Sequence, residues 1–194
     1  MSILNFFNSG NEKPVEFKAI SLSNGKMEVH AYRESEALRE KDVVNDIYEI
    51  FGDITQIPYN HEKYVKDKKE INTYMIVSSY HRKTQFIHFI SHIQTQKIIG
   101  QIIISPPIEQ YILFDKKLKN TWIIEYYLNK IFWNKGIMSG IIPAVVRIMQ
   151  KQGIKNIGAV VDRLNAPSIR ILEKSGFKRI KQFDDLKDLY IISS

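Results

Sequence analysis

The chain has 194 residues, enough for one domain that buries a core without help from disulfides or metals. It contains no cysteine, which excludes a disulfide scaffold, a cysteine-ligated zinc site and a cysteine nucleophile. The formal net charge of +7 comes from lysines spread along the chain beside acidic residues, which favours a solvated surface or an anionic ligand over nucleic acid.

The first residues carry no recognisable targeting signal. Residues 1–13 lack the basic leader and small-residue cleavage site of a signal peptide, and no window approaches the roughly 20 apolar residues of a membrane span. Asn8, Gly10 and Pro14 predict a loose arm over residues 1–14 that packs on the body or on a partner chain. We therefore expect one cytoplasmic domain over residues 1–194, with a homodimer left open.

The N-terminal part of the chain alternates strand and helix patterns. Val15–Leu22 and Lys26–Tyr32 flank Asn24-Gly25, a strong signal for a hairpin. Apolar residues at helical spacing then extend from Ser35 to Phe51, and a more polar helical pattern covers about His61 to Ile71.

Three β-rich runs follow. They cover Thr73–Ser79, Gln85–Ile93 and Lys97–Ile104, and the second and third should form a hairpin. Gly100 predicts a bulge or a close approach of backbones within that hairpin. The next segment, Glu109–Asn120, is ambiguous between a loop and a short extra strand.

The stretch from Trp122 to Phe177 has the clearest order. A strand over Trp122–Leu128 leads through a glycine turn into a helix, and a second strand over Asn156–Val161 leads into a second helix. Pro143 is tolerated best in the first turn of a helix, so the first of these helices should begin near residues 139–140. Two closing strands are expected over residues 178–183 and 189–192.

The turn between the first strand and its helix, Trp133 to Ser139, has chemistry of its own. The first N–H groups of a helix have no internal partners, and the positive end of the helix dipole adds to them, so such a turn attracts phosphate or pyrophosphate. Gly136 allows the backbone to come close to a ligand. A single glycine turn is more often an ordinary connection, however, so a second signal is needed.

A second motif supplies that signal. Trp133–Ser139 read W-x-x-G-I-M-S, and Asn165–Phe177 read N-x-x-S-x-x-I-L-E-K-S-G-F. Together the two motifs resemble the acetyl-CoA-binding core of the Gnat superfamily of N-acetyltransferases, in its RimJ/RimL-type branch, over residues 122–180. The resemblance implies an α/β (α+β) fold with a mixed central sheet of about six or seven strands flanked by about four helices.

The resemblance also implies a donor site and a reaction. The reaction is acetyl transfer from acetyl-CoA to a primary amine by direct attack, with no metal. The turn amides would bind the CoA pyrophosphate, Lys135 a phosphate, the end of the preceding strand the pantetheine arm, and Asn165 that arm near its sulfur. The implied cofactor-binding residues are Tyr126, Tyr127, Leu128, Asn134, Lys135, Gly136, Ile137, Met138, Ser139 and Asn165.

Two residues are candidates for catalysis. Ser168 matches the position proposed in this branch to protonate the leaving thiolate, and Glu125 lies on the strand where other superfamily members place a general base. Each candidate has a structural alternative: a first-turn serine that satisfies a backbone donor, and an outward-facing glutamate paired with lysine. Asn165 has one as well, because asparagine is a preferred helix cap. His81, His88, His92 and Tyr190 are further candidates with no motif behind them.

Three functions remain in view from the sequence. The first is an N-acetyltransferase whose acceptor is a protein N-terminus or a small-molecule amine. The alternative is a catalytically silent acyl-CoA-binding or interaction module. A nucleic-acid binder ranks last, because lysines and aromatic residues do not interleave in one patch.

Overall fold

A mixed β-sheet forms the centre of the computed structural model, which describes residues 20–21, 26–31, 33–71, 87–107 and 109–194. The strands are β1 (Ile20–Ser21), β2 (Met27–Ala31), β3 (Ile87–His92), β4 (Ile98–Ser105), β5 (Thr121–Leu128), β6 (Asn156–Asp162), β7 (Lys178–Gln182) and β8 (Lys187–Ser193). Their order is β1-β2-β3-β4-β5-β6-β8-β7. Strands β5 and β6 run parallel, whereas the other described neighbours are antiparallel.

Helices cover both faces of this sheet. The α-helices are α1 (Glu34–Ala37), α2 (Glu40–Phe51), α3 (Glu109–Phe114), α4 (Ile137–Lys151) and α5 (Ala166–Lys174). Short 3-10 helices lie at Ile54–Gln56, His61–Lys63, Lys116–Asn120 and Lys130–Phe132, and one helical turn covers 68–71. The sheet has eight strands where about six or seven were expected, and β1 contributes only two residues.

Helix α4 is held on one face by an apolar stripe. Its residues Ile141, Val145 and Met149 recur every four positions and are each 0% exposed. They share one core cluster with Ile102 of β4 and Ile124 of β5. Full burial of one such side chain contributes about 2 kcal/mol, so this cluster fixes where α4, and therefore its N-terminus, lies on the sheet.

Helix α2 packs on the opposite face. Val43, Ile47 and Ile50 form a cluster with Phe89 of β3 and Tyr127 of β5. The sheet is thus buried on both sides, and successive residues of β5 serve different cores. This alternation decides which β5 side chains lie near the functional site described below.

Both hairpin pairings predicted from the sequence are present. In the first, β1 pairs with β2 through Ile20 and Val29, while residues 22–25 lie outside the described part. In the second, β3 pairs with β4, and a Cβ on Gly100 would lie 2.5 Å from the backbone oxygen of Tyr127. The register of the hairpin shifts between Ile90 and Ser91, beside Gly100, which confirms the predicted bulge, and the close backbone approach is to β5. The predicted strand at 73–79 and the arm at 1–14 lie outside the described residues.

The helix predicted over Ser35–Phe51 is two helices. Arg39, between α1 and α2, has φ −116° and ψ 30°, and Leu38 is 90% exposed. In one continuous helix Leu38 would lie opposite the stripe formed by Val43, Ile47 and Ile50. Leu38 therefore does not join that stripe, and the chain breaks beside it between α1 and α2.

One further expectation is wrong, and one ambiguous segment is decided by the structure. Residues 61–71 form a 3-10 helix and a separate helical turn, because the Val65 N–H donates to the carbonyl of Phe51 at 2.9 Å and holds the intervening chain extended. Glu109–Asn120 forms helices, not a strand. A four-residue apolar run fits either state by pattern, and the ring of Phe114, 4.4 Å from that of Phe183, packs from a helix.

Helix α4 begins earlier than predicted. It starts at Ile137, so Pro143 lies inside the helix. The missing N–H removes the bond to the carbonyl of Ser139, four residues before. Ser139 is exposed, so water can satisfy that carbonyl and the helix continues.

Candidate functional site

The two parallel strands separate at the centre of the sheet. Among the described residues, the ladder between β5 and β6 runs from Thr121 and Asn156 only to Ile123 and Gly158. At this last pair the strands are very close, since a Cβ on Gly158 would lie 2.9 Å from Cδ1 of Ile123. Beyond it each strand pairs on its outer side alone, β5 with β4 and β6 with β8. The end of β5, over Tyr126 to Leu128, borders a cleft whose other walls come from the segments that follow β5 and β6.

The predicted turn closes one end of this cleft. Asn134 (φ +57°) and Gly136 (φ +72°) adopt the left-handed conformation, and α4 begins immediately afterwards. The Trp133 indole nitrogen donates to the carbonyl of Leu128 at 2.7 Å and ties the turn to the end of β5. Gly136 offers no capping side chain, so the first amides of α4 remain available to a ligand.

The cleft has a volume of about 420 Å³ and reaches both faces of the sheet. Ile137 and Ile171 line it from the side of α4 and α5, and Ile57, which belongs to the core under α2, lines it from the other. Every cofactor-binding residue expected from the sequence lines this one cleft: Tyr126, Tyr127, Leu128, Asn134, Lys135, Gly136, Ile137, Met138, Ser139 and Asn165. Their individual roles remain predictions.

The N-terminus of α5 forms another wall of the cleft. The Asn165 Oδ1 atom accepts a hydrogen bond from the Ser168 N–H at 3.2 Å, so Asn165 caps the helix. The NH₂ group of the same amide can still donate to a ligand. Ser168 also lines the cleft, and its hydroxyl makes no hydrogen bond with any described residue. The structural alternative for Ser168 is a hydroxyl that accepts from a backbone N–H, and the structure shows no such bond within the described part of the chain.

Tyr126 connects the two walls. Its hydroxyl donates to the backbone carbonyl of Ser168 at 3.3 Å, from β5 across to α5. Burial raises the pKa of Tyr126 to about 12, and the hydrogen bond at Ser168 opposes that shift only in part. The phenol is therefore a neutral donor at physiological pH and can hold the first turn of α5 in position.

Glu125 lies beside the cleft and is not among its lining residues. Its side chain is 30% exposed; its Oε2 atom accepts a hydrogen bond from the Tyr127 hydroxyl at 2.8 Å and lies 3.3 Å from the Lys63 ammonium nitrogen. The lysine pair considered as the alternative is therefore present. The other oxygen, Oε1, has no partner among the described residues, so the proposal that Glu125 acts as a base remains untested.

Sequence reasoning missed several residues of the cleft. The loop Ile57–Asn60, far away in the chain, closes the side under α2, and no motif pointed to it. Arg170 and Lys174 line the cleft from α5. Helical spacing from Pro167 could have found them, because residues 167, 170, 171 and 174 form one stripe. The lining includes the cations Lys135, Arg170 and Lys174, and no aspartate or glutamate among the described residues.

The remaining candidates lie elsewhere. His88 and Tyr190 are buried in the body of the sheet, and His81 lies outside the described part. Within the described ranges, no group of three or more His, Cys, Asp or Glu residues could hold a metal ion. No helix in that part of the chain is long and apolar enough to cross a bilayer.

Comparison with known families identifies the domain. Residues 36–178 match the acetyltransferase (GNAT) domain, which is more than half of the chain. The chain belongs to the GNAT family. The GNAT fold expected from the resemblance is thereby confirmed, with its mixed sheet and helices on both faces. No curated protein sequence matches this GNAT domain.

Solved structures of GNAT proteins share this fold. The ribosomal-protein-S5-alanine acetyltransferase from Vibrio fischeri has a TM-score of 0.64 and 16% identity, covering 91% of this chain and 97% of that one. RimL, a ribosomal L7/L12 alpha-N-protein acetyltransferase in complex with coenzyme A, has a TM-score of 0.60 and 18% identity over 91% and 98% of the two chains. The microcin C7 self-immunity acetyltransferase MccE, in complex with acetyl-CoA and AMP, has a TM-score of 0.58 and 16% identity over 87% and 93%.

Proposed function

We propose that this GNAT protein is a cytoplasmic N-acetyltransferase of RimJ/RimL type. In this proposal it transfers an acetyl group from acetyl-CoA to a primary amine, either a protein N-terminus or a small molecule, by direct attack. The observation that carries the proposal is the cleft that opens beside the end of β5, where β5 and β6 no longer pair, and that is lined by the left-handed turn before α4. Relatives of the same fold, RimL and MccE, were solved with CoA or acetyl-CoA.

The cleft has the chemistry that a CoA thioester requires. CoA joins a pantetheine arm, which carries two amide groups, to anionic phosphates. The cleft joins the end of β5 and apolar side chains to uncapped helix amides and three cations. Its volume of about 420 Å³ falls within the usual range of small-molecule sites. Asn134 to Ser139 and Lys135 would hold the phosphates, and the inner edge of Tyr126 to Leu128 would hold the arm.

The residues of the chain can then be given roles in the transfer. Acetyl-CoA supplies a thioester carbonyl that a neutral amine can attack. Glu125, which lies beside the cleft, would accept the amine proton at Oε1, directly or through a water molecule; this oxygen has no partner among the described residues. Asn165 would orient the arm near its sulfur through the amide NH₂ group. Ser168 would donate its hydroxyl proton toward the departing sulfur.

Ligand binding and turnover test the proposal in sequence. At a hundredfold excess over its dissociation constant, acetyl-CoA should stabilise the protein by about 2.7 kcal/mol, visible as a raised Tm. Release of the free CoA thiol is then followed with a panel of small amines and N-terminal peptides. Turnover with any amine supports an enzyme. Binding without turnover favours the silent acyl-CoA-binding module, and absence of binding contradicts both.

Substitutions at the start of α5 separate capping from ligand contact. Asn165→Ala should lose about 1 kcal/mol of stability with the cap and also weaken CoA binding, whereas Asn165→Ser retains a capping oxygen. If Asn165 contacts the donor, both variants should weaken binding by calorimetry. If it only caps, Asn165→Ser should bind like the wild type. Ser168→Ala should lower kcat more than affinity, and unchanged kinetics would remove Ser168 from the mechanism.

Glu125→Gln tests the base. The amide keeps a similar shape and can still accept from Tyr127, but it cannot take a proton from the amine. We expect kcat to fall at least tenfold, a modest loss for a general base, with the Kd for CoA unchanged. Full activity in this variant would leave Glu125 with a structural role only, as the partner of Lys63 and Tyr127.

A further inference from the structure

Two cations on α5 line the cleft without an acidic partner. Arg170 and Lys174 are exposed, and neither makes an ion pair or hydrogen bond with any described residue. They are four positions apart on one helical stripe, so their side chains are neighbours. Glu173 lies between them in sequence but does not line the cleft. Two unpaired positive charges on one wall provide a binding place for an anion.

These cations lie away from the reacting end of the proposed donor. Ser168, at the first turn of α5, marks the end where the thioester would react. Lys174 is six residues farther along, about 9 Å along the helix axis. The turn from Asn134 to Ser139 faces the same cleft and already offers backbone amides and Lys135 to a diphosphate. The pair on α5 therefore suits a second anionic group.

We propose that Arg170 and Lys174 form a subsite for the phosphomonoester on the ribose of CoA, and so make the enzyme distinguish CoA from dephospho-CoA. This inference rests on the proposed function, because it presumes a CoA donor in the cleft. A phosphomonoester carries more charge than one phosphodiester group, and two adjacent cations match it through charge-assisted hydrogen bonds. The subsite contributes to donor selection and takes no part in acetyl transfer.

Calorimetric binding of CoA and dephospho-CoA tests the subsite without relying on activity. The two ligands differ only in the ribose phosphate. We expect the wild type to bind CoA about tenfold more tightly, the factor that charge-assisted contacts to one group typically supply. In the double variant Arg170→Gln/Lys174→Gln the preference should fall to about twofold, with dephospho-CoA affinity nearly unchanged. Raising the salt concentration should reduce the preference of the wild type.

Helix α4 provides a matched control. Arg147 and Lys151 are also exposed cations four positions apart, and they do not line the cleft. Arg147→Gln/Lys151→Gln makes the same change in net charge and should keep the wild-type preference. The swap Arg170→Lys/Lys174→Arg should keep most of it as well, because both positive charges remain.

Each contrary result has a distinct meaning. Equal binding of CoA and dephospho-CoA by the wild type would overturn the subsite while leaving CoA binding, and the proposed function, intact. Equal weakening of both ligands in the Arg170/Lys174 double variant would show that the pair serves the diphosphate, and would also overturn it. Binding of neither ligand to the wild type would refute the proposed function itself.

Discussion

Acidification should destabilise this protein through one buried histidine. His88 lies in β3 at 0% exposure, and burial, assisted by the neighbouring His30, lowers its pKa from 6.5 to about 3. Because the folded-state pKa is depressed, the unfolded chain takes up a proton that the folded chain refuses, and stability falls as the pH drops below about 6.5. About pH 5 lies about 1.5 units below the unfolded-state pKa and still above the folded-state pKa, so the loss of stability there is about 2 kcal/mol at 1.36 kcal/mol per unit.

Other groups also titrate, so the effect must be isolated by substitution. Burial lowers the pKa of His30, which adds to the acid loss, whereas burial raises the pKa of Glu36 and of Asp46, which opposes it. The free energy of unfolding in urea is measured for the wild type and for His88→Leu at several pH values between about 7 and 5, and the contributions of His30, Glu36 and Asp46 cancel in the difference between the two proteins. From about pH 7 to about pH 5 this difference should shift by about 2 kcal/mol in favour of His88→Leu. His61→Leu, the same substitution at an exposed position, controls for the general effect of replacing a histidine by leucine. If His88→Leu and the wild type lose stability in parallel, His88 is not held neutral by burial.

Three further predictions concern the turn, the cleft and the core. Gly136→Ala should destabilise the protein by about 1 kcal/mol and weaken CoA binding, because φ is +72° at Gly136. Gly140→Ala, inside α4, should instead stabilise the protein by about 0.5–1 kcal/mol. Equal effects of the two substitutions in thermal unfolding and calorimetry would contradict this prediction. Tyr126→Phe removes the hydroxyl that holds the start of α5, so kcat should fall several-fold while the affinity for CoA stays unchanged. Steady-state kinetics equal to those of the wild type would exclude a positioning role for Tyr126. Ile141 is 0% exposed, and Ile141→Ala should lower the free energy of unfolding in urea by about 2–5 kcal/mol. Ile131 is 62% exposed, and Ile131→Ala should lower it by less than about 0.5 kcal/mol. A small loss for Ile141→Ala would mean that the core under α4 is not packed as described.

Sequence patterns were reliable where the structure depends on neighbouring residues. The turn at Gly136 and the cap at Asn165 are each decided by a few consecutive side chains, and both are found in the structure. The pattern was misleading at Leu38, which is 90% exposed and lies between two helices where one was predicted. The proline rule also predicted too late a start for α4. The helix includes Pro143 because the carbonyl of Ser139, which loses its partner, is exposed and can bind water.

The composition of the site beyond its motifs depended on distant contacts. The loop Ile57–Asn60 reaches the cleft from the α2 side of the sheet, and Lys63 contacts Glu125, which lies 62 residues later in the sequence. Neither contact leaves a periodic or compositional trace in the sequence. Arg170 and Lys174 are an intermediate case. Helical spacing predicts that they lie on one side of α5, but it does not predict that a cleft lies on that side.

The sequence by itself determined the local elements of this protein: a strand, a left-handed turn and a helix whose first amides have no cap, followed by a second strand and a capped helix. Only the tertiary structure decided that these elements enclose a cleft. The reason is that β5 and β6 part after Ile123 and Gly158, where each strand pairs with its outer neighbour and the cores beneath α2 and α4 hold the sheet from both sides. Backbone preferences are set within a few residues, whereas the opening of a sheet is set by all the strands and helices that pack against it.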